Sequence, residues 1–214
     1  MVDPVSVSED LRNKKFRFIA GKLCLDYCNT VGGKRGAISR EKLNSYDDFL
    51  SWSEEAGLIN PSERTALRTK AGTDPAKAAS VLSRALILRE GIYRIFLATL
   101  EGAAPSGNDL GLLNSELARL MGRMRISSDR NGSGFSWQWA GGEAEIDQPL
   151  GPLAHSAASL LASPQDLPHV HQCRGDNCGW LFIDSSRNHS RCWCDMRDCG
   201  NRAKVRRHRQ KHHL

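Results

Sequence analysis

Apolar positions in the first three quarters of the chain recur every three to four residues, the period of a helix with one buried face. Leu23, Tyr27 and Val31 fall four apart, with Cys24 and Cys28 beside them. The pattern predicts a helix over 21–31 that the glycines of Gly32-Gly33-Lys-Arg-Gly36 end. Phe49, Trp52, Ala56 and Leu58 predict another from about Ser45 to Gly57. Asn60-Pro61 and Asp74-Pro75 each put proline at a first helical position. They open a short helix and the longest one, which runs to about Gly102. The stripe of the longest helix is Leu82, Leu86, Tyr93, Phe96 and Leu100, with Arg89 in its middle. Asn108 is the expected cap of a helix ending near Met124, and a small-residue helix is predicted over 149–162.

Elsewhere the period drops to two. Ile126, then Asp-Arg-Asn-Gly, then Phe135, Trp137 and Trp139 in alternation predict a β-hairpin, and Phe16–Ile19 a short strand. Trp180–Asp184 alternates as well, with Arg191–Cys194 as its expected return strand. The fold class read from this pattern is mainly α: a helical N-terminal domain with a small β-hairpin over 1–164, and a small second module over 165–214.

Charge sharpens that division. Residues 166–214 hold 10 Lys and Arg against 5 Asp, so they supply +5 of the formal +6 of the whole chain. A local positive field beside a near-neutral body points to two jobs in one chain. No apolar run approaches a bilayer span and no secretory h-region opens the chain, so no membrane role and a cytoplasmic location are expected. Seven cysteines in such a setting read as thiols and metal ligands.

Four of them form two equal pairs. Cys173 and Cys178 enclose four residues, fifteen follow, and Cys194 and Cys199 again enclose four. Each short loop offers two sulfurs to one ion, the spacing of a closed tetrahedral thiolate zinc site, one structural Zn²⁺ per chain. Cys192 could replace Cys194, and His171 or His189 are weaker substitutes. From about Asp195 the chain reads as a helix, with Cys199 ligating from its first turn. Arg202, Lys204, Arg206, Arg207, Arg209 and Lys211 follow with no acid among them, more cations than a helix C-terminus needs, and so candidate phosphate contacts. Arg202, nearest the metal, is the one expected to reach a base edge.

The run Arg191-Cys-Trp-Cys-Asp-Met-Arg-Asp-Cys199-Gly200-Asn201-Arg202-Ala-Lys204 resembles the CGNR zinc finger of bacterial proteins regarded as stress-induced transcription regulators. Leu23-Cys24-Leu25-Asp26-Tyr27-Cys28-Asn29-Thr30 resembles the opening of the ABATE domain that usually precedes that finger. The resemblance implies a treble-clef or ribbon-like finger with the four cysteines as zinc ligands and DNA as partner.

In the N-terminal body, a cation on an apolar stripe needs a counter-charge. Asp26 is the expected partner of Arg89; with Asn29 and Thr30 the two would fix helix packing or line a pocket for a small-molecule effector. No Ser/His/Asp set, phosphate loop or H-E-x-x-H motif is present, so no enzyme is expected. The function read from the sequence is a transcription regulator that contacts DNA through its finger, with the helical domain binding an effector or forming a homodimer. The alternatives are an RNA- or protein-binding zinc module and, third, an enzyme using the N-terminal pocket.

Overall fold

A computed structural model describes residues 15–37, 39–128, 132, 134–139 and 145–212. The chain divides into two compact units, one formed by 1–44 with 160–214, the other by 45–159.

The second unit is helical. Helices α2 (Tyr46–Glu55), α3 (Pro61–Thr73), α4 (Pro75–Leu100) and α5 (Gly107–Met121) follow one another. Their starts obey the predicted capping chemistry. Ser45 accepts the Asp48 amide, Asn60 and Glu63 form a reciprocal capping box, and Asp74 accepts the Lys77 amide. The α5 cap is Ser106 rather than Asn108: Ser106 Oγ takes the Asp109 amide at 3.1 Å, and Asp109 in turn holds Arg94. Antiparallel strands β3 (Met124–Ser128) and β4 (Phe135–Trp139) pair Ile126 with Trp137. The hairpin is the one expected; the tip residues 129–131 and the side chains of Trp137 and Trp139 lie outside the described residues. Helix α6 (Leu150–Leu161) carries the chain out of this unit.

The buried face of α4 is Ala78, Val81, Ala85, Leu88, Arg89, Gly91, Ile92, Tyr93, Ile95 and Phe96, so Tyr93, Phe96 and Arg89 of the predicted stripe are inside but its two ends are not. Leu82 and Leu86 are only half-buried, and Leu100 is exposed. A 26-residue helix with apolar residues on several sides leaves its inward phase open to tertiary choice.

The first unit is built on short elements. Helix α1 spans Leu23–Cys28, less than predicted, because Val31 enters strand β1 (Val31–Gly32), which pairs with β2 (Arg40–Glu41). Phe16–Ala20 forms no strand. The Asp26 carboxylate takes the amides of Ile19 (2.8 Å) and Ala20 (2.9 Å), folding this segment over the start of α1. Strand β6 (Leu181–Ile183) pairs with β5 (Val170–Gln172), upstream of the first cysteine pair, and not with 191–194. Asp184 instead accepts the amides of Ser186 (2.8 Å) and Arg191 (2.7 Å), so the segment after β6 is closed as a loop. Helix α7 (Asn201–His212) ends the described chain.

Buried polar bonds tie the two ends of this unit together. Asn29 donates to Leu181 O (2.8 Å) and accepts the Leu181 amide (2.9 Å). Trp180 Nε1 donates to Val31 O (2.8 Å), and the Ile183 amide to Ala20 O (2.8 Å). An amide side chain that mimics a strand partner satisfies both backbone groups of Leu181, which would otherwise be orphaned in the core.

Candidate metal centre

Cys173 follows β5 directly, and its amide bonds to Trp180 O, so the loop from 173 to 180 turns back on itself. Within it the Cys178 amide reaches Gly175 O at 3.0 Å. A side chain there would be crowded: a Cβ at 175 would stand 3.1 Å from Cys199 Sγ and 3.2 Å from Cys178 Cβ. The second pair comes from the segment 191–200. Arg191 lies over the Phe182 ring (4.4 Å) and donates to the carbonyls of Trp193 and Cys194, which fixes the approach of Cys194. Asp195 then caps a wide helical turn, Met196–Gly200, by accepting the Arg197 amide at 2.8 Å, and Cys199 projects from that turn.

The four sulfurs of Cys173, Cys178, Cys194 and Cys199 lie within 4.8 Å of one another. Cys178 and Cys194 are 3.8 Å apart, and Cys194 and Cys199 3.7 Å. A tetrahedron with Zn–S bonds of about 2.3 Å has edges of about 3.8 Å, so the donor set fits zinc in type and size. Without a cation the sulfurs conflict: hydrogen bonds from neighbouring thiols draw Cys173 down, and the Cys173 thiolate pushes Cys194 up. A divalent ion lets all four ionise. The centre is one closed structural zinc site, with no position left for a reacting group.

Cys192 stands outside the quartet and donates to Ser190 O, which settles the alternative in favour of Cys194. His189 stacks on His169 (3.9 Å between centroids) and His171 lies beside Phe182 (6.0 Å); neither joins the cluster.

Helix α7 leaves the centre with its side chains exposed as far as Gln210, except for the half-buried Ala203. Arg202 donates to Cys199 Sγ at 3.2 Å and pairs with Asp198 at 3.2 Å, which raises its pKa through the bond to sulfur and leaves its side chain 69% exposed. Arg206 pairs with Asp176 of the first cysteine loop. Lys204, Arg207 and Arg209 make no ion pair among the described residues, and the Lys211 side chain lies outside them. The cations thus divide: two brace the finger and three stand free. Sequence reasoning missed both braces: Asp198 lies four residues before Arg202, within the helix read from Asp195, and Asp176 lies in the first cysteine loop.

The candidate pocket residues fall in both units, Asp26, Asn29 and Thr30 in the first and Arg89 in the second. Asp26 takes its two backbone amides, Asn29 is spent on Leu181, and Thr30 Oγ1 donates to Tyr27 O (2.8 Å). Arg89 is buried, 3% exposed, and its Nε donates to Glu90 at 2.9 Å. Asp26 lies in the first unit and Arg89 in the second; within its own unit Asp26 is met by backbone amides, and Arg89 by the carboxylate of the next residue in its helix. Sequence reasoning also missed Arg17, which binds Asp195 and, at 3.1 Å, Asp198. Two acids just before a metal ligand were its only signal.

Among the described residues no helix is long and apolar enough to cross a membrane. No curated protein matches the chain. Residues 169–212 match the CGNR zinc finger, and residues 21–164 match ABATE, described as a putative stress-induced transcription regulator. Neither is an enzyme family. With about two thirds of its length in that second match and its four cysteines in a finger of the expected kind, the chain belongs to the ABATE family and carries a CGNR zinc finger.

Proposed function

We propose that this protein is a bacterial transcription regulator that binds DNA through α7 and the zinc finger behind it. One observation carries the reading: α7 starts two residues after the metal ligand Cys199 and exposes Lys204, Arg207 and Arg209 with no acid of its own. The metal and the braces Arg202–Asp198 and Arg206–Asp176 fix the helix start, so these cations occupy set positions. Fixed cations along one rod suit the regular phosphates of a duplex. The helical unit is the effector-binding or dimerisation module in this reading, and the protein acts in the cytoplasm.

Binding of labelled duplex, single-stranded DNA and RNA over a salt series tests it. The zinc-loaded chain should prefer duplex, with log K falling against log salt by about 0.9 for each phosphate neutralised. Replacing Arg207 and Arg209 by Ala should flatten that slope by up to ~1.8. Binding that ignores salt, or a preference for RNA, would overturn the DNA reading.

A further inference from the structure

A groove of about 870 Å³ opens beside the metal centre, inside the first unit. Arg40, Lys42, Asn177, Cys178, Trp180 and Arg202 are among the residues that line it. Lys15 and Arg17 add two further cations, whereas Glu41 and Asp198 are the acids of the lining. Both acids are already engaged. Glu41 Oε1 accepts the amides of Lys42 (2.9 Å) and Leu43 (2.8 Å), and Asp198 holds Arg17 and Arg202.

Among the groove cations, Arg17 and Arg202 are spent on those contacts, but Arg40 and Lys42 pair with no carboxylate among the described residues. Lys42 Nζ lies 5.2 Å from the Trp180 ring centroid, and Arg17 lies 5.6 Å from the same ring. Burial, with Arg17 and Arg40 nearby, pushes the Lys42 pKa down. A half-buried ammonium facing two guanidinium groups is a site that an anion would relieve. The neutral donors Ser39 and Asn177 complete a lining suited to phosphate oxygens.

We propose that this groove binds a phosphate group, contacted by Arg40 and Lys42, carried either by a nucleic-acid backbone or by a free nucleotide. In the first form it rests on the DNA reading above and adds the β1–β2 hairpin to the α7 surface. In the second it is an effector site at the finger itself.

The test uses the full zinc-loaded chain, the double variant Arg40→Gln/Lys42→Gln, and Arg207→Ala/Arg209→Ala. The probes are a short labelled duplex and adenosine monophosphate. If the backbone is the source, the groove variant flattens the duplex salt slope by up to ~1.8 and the mononucleotide binds neither protein. If a nucleotide is the source, the mononucleotide binds wild type in calorimetry and loses at least tenfold in affinity in the groove variant. In that case duplex binding unchanged by Arg207→Ala/Arg209→Ala would sink the DNA reading and leave the groove assignment standing. A groove variant that matches wild type on both probes overturns the proposal, as does wild type binding neither. A variant that loses zinc while its phosphate binding is unchanged also overturns it, since the two cations would then serve only to balance the thiolate centre.

Discussion

The two units solve the same problem with different chemistry. The unit of residues 45–159 buries side chains such as Trp52, Phe49, Leu88, Ile92 and Phe96 on long, capped helices. In the unit of 1–44 with 160–214 the elements around the buried bonds are strands of two or three residues and a six-residue helix, while α7 is almost wholly exposed, and the unit buries Asp26, Asn29, Thr30 and Asp184. Elements that short cannot hold themselves by apolar area. Zinc and a few buried backbone bonds replace it. What differs, then, is what each unit should lose when one component is removed.

The largest effect should come from the metal. Cys194→Ser removes one of four thiolates; the chain should lose its zinc, and with it folding free energy on the order of 10 kcal/mol. Cys192→Ser should keep a full zinc complement and shift stability by less than about 0.5 kcal/mol. Metal analysis and thermal melts of both proteins check this, and retention of zinc by the Cys194 variant alone would move the ligand to Cys192.

In the helical unit Ile92→Ala should cost about 2–5 kcal/mol by leaving a cavity beneath α4, with zinc content unchanged. Denaturant midpoints, read beside metal analysis, check both halves. Zinc loss in this variant would erase the contrast between the units.

A smaller and pH-dependent effect belongs to Asp26. Burial raises its pKa to about 6 against the hydrogen bonds of the Ala20 and Ile19 amides. A raised carboxyl pKa means the folded chain keeps the proton longer than the unfolded one. This contribution is therefore fully favourable below pH 3.8 and is lost as pH rises through about 6. Asp26→Asn retains the Oδ1 acceptor and removes the ionisation. It should flatten the stability profile across that window and be more stable than wild type at neutral pH by up to ~3 kcal/mol. Parallel pH profiles of the two proteins would contradict the burial argument.

The two units were also unequally legible. The helices of the second were readable because caps and proline positions act locally; Asn60-Pro61 and Asp74-Pro75 each opened a helix where expected. What escaped was the inward phase of α4 at its two ends, where Leu82, Leu86 and Leu100 are not buried, because that phase depends on neighbours. In the first unit the zinc ligands were readable because a metal demands close spacing along the chain. The bonds that complete the unit were not. Asn29 meets Leu181 across 152 positions, and Trp180 meets Val31 across 149. Both contacts use backbone atoms, which leave no trace in residue type. The same reason explains β6: its partner was set by which segment could reach it, and alternation at 180–184 carries no address.

Amide hydrogen exchange before and after zinc removal by a chelator tests the central claim most directly, that the metal holds the first unit, N-terminal segment included. Chelation should release the amides of Leu181, Ile183, Ile19 and Ala20 together, while those of Leu88 to Phe96 in α4 stay protected. Loss of protection in α4 at the same zinc occupancy, or continued protection at Ile19 and Ala20 in the metal-free chain, would contradict it.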